Sequence, residues 1–196
     1  MGVEIRQLRG GEMRAQLDAL AFLRIAVFED YPYLYAGDIR YERNYLARLA
    51  SAEGAVVIGA FAADRLVGTA TASPMRQQGD GFCDAMEKAG YRPDALFCFG
   101  ESVLLPEYRG QGIGHRFFDE RERLARQAGT THTVFCAIAR EDDDHHAARP
   151  GAYVSPEGFW RRRGYAPIDG ATMTMAWEEH GGEMVDHTMQ FWARPL

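Results

Sequence analysis

The chain has 196 residues, of which 46% are hydrophobic and 26% charged, a size and balance that predict one folded domain over residues 1–196 and exclude a disordered chain. The formal net charge is -6 and no basic stripe with interleaved aromatic residues is present, so nucleic acid is not an expected partner. No apolar signal core begins the chain and no run is long enough to cross a membrane, so we expect a cytoplasmic protein without a membrane partner.

The first half of the chain alternates short strands and helices. Residues 3–8 alternate as a half-buried strand does, and residues 11–30 and 39–51 show helical spacing of apolar side chains. Residues 55–62 and 65–73 are strand-like and are joined by a short polar turn. This pair predicts an antiparallel hairpin.

The second half contains the strongest helix signal. This helix follows a glycine-rich stretch, places Ile113, Phe117, Leu124 and Ala128 on one face, and has Gly129 positioned to end it. The order of elements predicts a mixed sheet with helices on both faces. The other predicted elements are helices over residues 82–90 and 156–164 and strands over residues 95–105, 132–140, 172–179 and 187–196.

A dense glycine pattern joins a predicted strand to this helix. Arg109 is followed by Gly110, Gly112 and Gly114. The unpaired N–H groups and the dipole at a helix start attract anions, and glycine lets the backbone approach them closely. The pattern therefore predicts a phosphate or pyrophosphate site, to which Arg109 adds a charged contact. Neither the G-x-G-x-x-G dinucleotide spacing nor the Gly-Lys-Ser/Thr ending of a Walker A loop is present.

The turn and its surroundings resemble motif A of the GNAT N-acetyltransferase superfamily, whose pattern is Gln/Arg-x-x-Gly-x-Gly/Ala and whose loop holds the pyrophosphate of acetyl-CoA. Residues 103–115 match the motif itself, and residues 158–165, Gly-Phe-Trp-Arg-Arg-Arg-Gly-Tyr, are similar to the family's closing helix. The order of elements extends the likeness over most of the chain. The resemblance implies an α+β fold of three α/β/α layers, with a mostly antiparallel central sheet and a splayed parallel strand pair.

The resemblance also implies how the chain would hold acetyl-CoA as acyl donor. Val103 and Leu104 should offer backbone groups to the pantetheine arm, and the amide of Leu104 should face the thioester oxygen as an oxyanion donor. The strands over residues 95–105 and 132–140 would be the splayed pair that admits the cofactor. The pyrophosphate would be held by the amides of Gly110, Gln111, Gly112, Ile113, Gly114 and His115, with Arg109 ahead of them.

The acid and base of an acetyl transfer are less clearly marked. Glu101 is the only carboxylate in its predicted strand, and it is either a general base or the partner of a helix arginine; both alternatives stay open. In relatives that this chain resembles, a tyrosine acid stands four residues before the glycine of the closing helix. Trp160 occupies that place and cannot donate the proton. Tyr153 or solvent would then supply it, and a packing role is the alternative for Tyr153. Cys98 aligns with a base of some relatives and is interpreted as core packing.

The acceptor site is predicted in the aromatic turn between the first two helices. Tyr31, Tyr33 and Tyr35 would hold a cationic amine by their ring faces, aided by Asp30 and Asp38. A packed aromatic turn is the alternative. The expected partner is an amine on a small molecule or peptide, and the oligomeric state is left open, a homodimer included.

The sequence does not predict a metal site. Residues 141–146, Glu-Asp-Asp-Asp-His-His, are adjacent in a loop and such side chains rarely converge on one ion, while Cys83, Cys98 and Cys136 lack metal-binding spacing. The expected function is an N-acyltransferase that moves an acetyl group from acetyl-CoA to a primary amine. A non-catalytic acyl-CoA-binding or regulatory module on the same fold, and a nucleotide-binding protein of another fold, are the alternatives.

Overall fold

The structure is a computed structural model that describes residues 2–139, 149–151 and 153–196. Its strands form one sheet in which each strand is hydrogen-bonded to the next. The strands are β1 (Val3–Leu8), β2 (Val56–Ala62), β3 (Arg65–Pro74), β4 (Leu96–Leu104), β5 (His132–Ile138), β6 (Ala166–Glu178) and β7 (Met184–Pro195). Their order is β1-β2-β3-β4-β5-β7-β6. Every neighbouring pair is antiparallel except β4 and β5.

Helices cover both faces of this sheet. On one face, Leu20 and Leu46 pack with Val103, and Met86 packs with Cys98. The opposite face carries a second apolar layer of helix and sheet residues. The predicted α+β, three-layer α/β/α architecture is therefore present. The helices are α1 (Gly10–Ala15), α2 (Leu17–Phe28), α3 (Ile39–Ser51) and α4 (Asp80–Lys88) on the first face, and α5 (Ile113–Gln127) and α6 (Glu157–Arg162) on the second.

Two local predictions need correction. The helix predicted over residues 11–30 is divided at Gln16, whose backbone leaves the helical conformation between α1 and α2. In α5, Leu124 is only partly buried and Ala128 is exposed, whereas Arg121 is buried. The buried face of α5 runs through Ile113, Phe117, Arg121 and Ala125. The helix is therefore rotated about its axis relative to the prediction, and this places the charged Arg121 in the core.

The parallel strands separate after a short contact. The ladder between β4 and β5 joins three residue pairs and ends at Cys98 opposite Val134. Beyond that point β4 stays paired with β3, and β5 with β7. The sheet therefore opens between β4 and β5, as the resemblance implied.

A β-bulge interrupts β4 inside this opening. The register with β3 shifts by one residue, so that Thr71 faces both Gly100 and Glu101. A Cβ at Gly100 would overlap Oγ1 of Thr71, so this close approach requires glycine. Bulges re-aim side chains, and this one directs Glu101 toward α2 and α3.

In the described part of the chain, no helix combines the length and apolar character needed to span a membrane. Residues 141–146, the acidic and histidine-containing run, lie outside the described residues.

Candidate active site

The glycine-rich turn enters α5 with a left-handed backbone. Gly110 and Gly112 have φ angles of 74° and 77°, which residues with a Cβ rarely adopt. Gly114 lies in the helix, and a Cβ there would make only an ordinary contact, 3.8 Å from the Phe159 ring. The backbone path thus requires two of the glycines. The third, Gly114, lines the cleft that opens between β4 and β5 and adds no side chain to its wall.

The start of α5 presents backbone donors to this cleft. The N–H of Arg116 donates to the carbonyl of Gly112 at 3.2 Å, which leaves the N–H groups of residues 113–115 without an acceptor in the helix. The first turn of this helix has no acidic side chain. Arg109 is held beside the turn because its Nε donates to the Leu104 carbonyl at 3.1 Å. The turn therefore has the donors and the charge to bind an anion such as pyrophosphate.

The other residues predicted to bind the pyrophosphate have side chains that are engaged elsewhere, so they would offer mainly their backbone N–H groups. Ile113 is buried against β2 and β3, and Nε2 of Gln111 donates back to the Glu107 carbonyl at 3.0 Å. His115 is exposed, and its Nδ1 accepts from Nη1 of Arg163 at 3.2 Å. That contact favours the tautomer with the proton on Nε2.

Leu104 has its backbone groups in the opening between the splayed strands. The N–H of Leu105 donates to the carbonyl of Val67 at 3.0 Å, so Leu104 opposite Gly68 is a non-hydrogen-bonded pair of the ladder. The Leu104 N–H therefore points away from β3. By the same alternation Val103 uses its N–H and carbonyl in the ladder. Of the two residues predicted to meet a pantetheine arm, only Leu104 has its N–H outside the ladder.

Glu101 lies in a buried polar cluster between β4 and the helices α2 and α3. Its Oε1 is 2.6 Å from Nη1 of Arg24. Its Oε2 accepts from the hydroxyl groups of Tyr45 at 3.0 Å and Thr71 at 2.9 Å. Arg24 also donates through Nε to Glu42. The ion pair with a helix arginine, one of the two alternatives for Glu101, is present; its role as a base stays a prediction.

The cluster keeps Glu101 ionised. Burial acts to raise the pKa of the Glu101 carboxyl, but the charge of Arg24 and the hydrogen bonds outweigh it, so this pKa lies below its ordinary value. Burial and the nearby Glu101 charge raise the pKa of Tyr45 above its ordinary value. At neutral pH the cluster therefore contains a carboxylate and a neutral phenol, beside a cleft that both of them line.

Tyr153 lies against the aromatic turn at this cleft. Its ring meets the ring of Tyr31 edge to face, with centroids 4.7 Å apart. The guanidinium of Arg149 lies 5.7 Å from the centroid of the Tyr153 ring. The structure thus brings together two residues that were predicted separately, one as a proton donor and one as part of the acceptor pocket.

Tyr33 and Tyr35 also line the cleft, with different surroundings. Tyr33 packs between Phe28 and Trp177, with ring centroids 4.7 Å and 5.9 Å away, and burial raises the pKa of its phenol. The Tyr35 hydroxyl accepts from the Asp38 N–H at 3.4 Å, and burial raises its pKa to about 12. Both phenols therefore stay protonated at neutral pH.

Cys98 is a core residue, and Trp160 is partly buried against the core. The Trp160 ring contacts Phe135 and Trp192, with centroids 4.9 Å and 5.3 Å apart. Cys98 is buried beside Val134 at the last parallel pair, and burial raises the pKa of its thiol well above the ordinary value. Neither side chain is suited to proton transfer at neutral pH.

Sequence reasoning missed the two arginines that contact Glu101 and the bulge. Arg24 lies within the apolar run of α2, and Arg121 lies four residues from both Phe117 and Ala125 on the buried face of α5. A charged residue on an apolar helix face was the available signal. The isolated Gly100 within a strand pattern was a second signal, because such glycines mark bulges.

The sequence of this chain matches a known protein family. The sequence profile of the Acetyltransferase (GNAT) family matches residues 19–165. The chain therefore belongs to the GNAT family of acetyltransferases, and the resemblance drawn from motif A is confirmed. No protein of curated function matches the chain significantly in sequence.

Solved structures share the fold at low sequence identity. A ribosomal-protein-alanine N-acetyltransferase from Brucella melitensis is 17% identical with a TM-score of 0.64, covering 98% of this chain and 99% of its own. An N-acetyltransferase from Staphylococcus aureus Mu50 is 12% identical with a TM-score of 0.63, covering 100% and 99%. The yncA protein of Salmonella typhimurium, solved with its cofactor acetyl-CoA, is 14% identical with a TM-score of 0.62, covering 100% and 95%. These likenesses confirm the predicted fold.

Proposed function

We propose that this protein is an N-acyltransferase that moves the acetyl group of acetyl-CoA to a primary amine of a small molecule or peptide. The observation that carries the proposal is the continuity of two features. The glycine turn at the start of α5, which has free backbone donors, closely follows the stretch of β4 where the Leu104 N–H faces the opening. An acyl-CoA has the matching order of groups, with a pyrophosphate at one end of its arm and a thioester at the other.

The turn would bind the pyrophosphate through the amides of residues 110–115, while Arg109 adds a charged contact. The Leu104 N–H would donate to the thioester oxygen, which gains negative charge as the amine adds to the carbonyl carbon. A donor held by a strand needs no reorganisation at that moment, which is the condition under which such a contact accelerates the reaction.

The transfer forms a carbon–nitrogen bond, breaks the carbon–sulfur bond, takes one proton from the amine and returns one to the thiolate. Glu101 would attract the ammonium form of the acceptor and pass its extra proton through water to the solvent. This leaves the neutral amine, whose one proton the transfer itself removes. The phenol of Tyr153 would protonate the thiolate, and solvent is the alternative donor. The aromatic turn with Tyr31, Tyr33 and Tyr35 would form the acceptor wall, because ring faces and nearby carboxylates favour a cation.

A non-catalytic acyl-CoA-binding module is the second candidate. It is favoured by Trp160 at the place of the expected tyrosine and by the engagement of Glu101 with Arg24. Such a module would bind acetyl-CoA and release no CoA with any amine.

Calorimetric titration with acetyl-CoA, with ADP as comparison, tests the binding part. One-site binding of acetyl-CoA that is tighter than that of ADP is expected, because only acetyl-CoA has the pantetheine arm. Equal binding or none would refute the assignment of the turn and of β4. Thiol release in the presence of a panel of primary amines then tests catalysis, and binding without release from any amine would favour the module.

A further inference from the structure

We propose that Arg121 is a positioning residue that holds the β4 bulge in place, and with it the Leu104 N–H and the Glu101 carboxylate. The inference deepens the proposed function and rests on it. It assigns a role in the reaction to a side chain that lies on the opposite face of the sheet from the acceptor wall.

Arg121 has an unusual setting for an arginine. Its relative exposure is 1%, and within the described residues no carboxylate lies in ion-pair distance of it. The guanidinium is stacked near two aromatic rings, 4.3 Å from the Phe99 centroid and 4.8 Å from that of Phe118. A charge buried without a counter-ion is costly. An aliphatic residue would suit this helix face better if packing were the only requirement.

The hydrogen bonds of Arg121 converge on the bulge. Its Nη1 donates to the carbonyl of Thr71 at 3.2 Å and to that of Glu101 at 3.4 Å. Its Nη2 donates to Oγ of Ser102 at 2.7 Å, and its Nε donates to the Phe117 carbonyl in its own helix at 3.2 Å. Three of the four contacts therefore reach residues that form the bulge or adjoin it.

A bulge leaves backbone groups without their regular ladder partners. Arg121 donates to two carbonyls at the bulge, one on each strand, with a single rigid group. Its loss would remove these contacts, and the bulge would then be free to shift the register of β3 with β4. A shift of one residue turns side chains and N–H groups to the other side, and this would move both Glu101 and Leu104.

The position of Arg121 on α5 adds a second consequence. The same helix begins at the glycine turn, so Arg121 links the predicted pyrophosphate site to the predicted site of chemistry through one rigid element. A change at Arg121 should therefore impair the transfer step more than the binding of acetyl-CoA, because the turn itself is formed by other residues.

Steady-state kinetics of Arg121→Met and Arg121→Lys test the proposal, with Ala125→Gly as matched control. Ala125 is buried on the same helix and has no side-chain donor for the bulge carbonyls, and glycine there lowers stability chiefly through the helix. We expect Arg121→Met to lower kcat about 10- to 100-fold, as small misplacements of reacting groups do, with KM for acetyl-CoA changed less than about twofold. Arg121→Lys should retain an intermediate kcat, because an ammonium can satisfy some of the same acceptors.

Hydrogen exchange of the peptide covering β4 supplies a readout that does not depend on activity. Arg121→Met should speed exchange in β4 more than Ala125→Gly does, when each variant is measured at the same interval below its own melting temperature. Equal exchange in the two variants, or a kcat of Arg121→Met that falls only as far as that of Ala125→Gly, would overturn the proposal. If the unsubstituted protein shows no transfer with any amine, the proposed function fails while the exchange comparison still decides whether Arg121 holds the bulge.

Discussion

Oε1 of Glu101 and Nη1 of Arg24 lie 2.6 Å apart in a cluster where both side chains are at most 10% exposed. The pair links the bulge of β4 to α2, and Arg24 continues the link to Glu42 on α3. With Tyr45 of α3 and Thr71 of β3 on its other oxygen, the carboxylate beside the cleft is held from three elements of the fold. A group held this firmly is suited to attract an ammonium and is restricted in its own movement.

Replacement of Glu101 by glutamine tests its part in transfer. Glu101→Gln keeps the shape and the acceptor for Tyr45 and Thr71 but removes the charge. We expect kcat to fall at least tenfold while the dissociation constant for acetyl-CoA stays within about twofold, since a positioned base contributes about 100-fold or more. Glu42→Gln, which removes the other carboxylate of Arg24, is the control and should reduce kcat less. A fully active Glu101→Gln protein would assign Glu101 a structural role only.

The same pair predicts a pH dependence of stability. The pKa of Glu101 is lower in the folded protein than its ordinary value of 4.5, so its contribution is fully present above that value and is lost as the pH falls through the folded pKa. The free energy of unfolding of the wild-type protein should exceed that of Glu101→Gln by about 1–3 kcal/mol at pH 7. The difference should shrink below about pH 4.5, as measured by urea unfolding at several pH values. A difference that is constant from pH 3 to pH 7 would contradict the ion pair.

An added charge at Gly114 tests the anion site without backbone strain. Unlike Gly112, Gly114 is in the helix and has room for a Cβ, and an aspartate in a first helical turn favours the helix. Gly114→Asp should weaken acetyl-CoA binding at least tenfold by repulsion, with no loss of thermal stability. Gly114→Asn, similar in size and neutral, should weaken binding much less. Equal affinities of the two variants would show that charge at this position does not matter.

Removal of one hydroxyl tests the proton donor. Tyr153→Phe keeps the ring and its edge-to-face contact with Tyr31 but removes the hydroxyl group. If that phenol protonates the leaving thiolate, kcat should fall about 100-fold, and the fall should be smaller for an acyl donor whose thiol is more acidic. Tyr91→Phe, remote from the cleft beside His132, should leave kcat unchanged. An unaltered kcat in Tyr153→Phe would leave solvent as the donor.

The bulge can be tested through stability alone. Gly100→Ala forces a methyl group against Oγ1 of Thr71 and should lower the free energy of unfolding by about 1–3 kcal/mol. Thr71→Ala removes the obstructing hydroxyl, so the double variant should be more stable than the sum of the single effects predicts. Gly81→Ala in α4 is the control, because its Cβ would make an ordinary contact and alanine favours a helix.

Features that depend on local backbone chemistry could be predicted from the sequence alone. The left-handed positions Gly110 and Gly112 and the helix that follows depend on local backbone chemistry, which a short stretch of sequence encodes fully. The predicted helix over residues 39–51 coincides with α3 for the same reason. The division of the first helix at Gln16 was not predicted, because its pattern of apolar residues continues across the break.

Local order was therefore determined by the sequence itself: the strand, glycine turn and amphipathic helix, the family that they define, and a carboxylate in the central strand. Tertiary structure decided which groups surround that carboxylate. Arg24, Tyr45 and Thr71 are 77, 56 and 30 residues away from Glu101 along the chain. Only the packing of α2 and α3 on a bulged strand brings them within 3 Å of it. Contacts of this kind depend on the register of β3 with β4 and on the face that each helix buries, which no periodicity in one segment can specify.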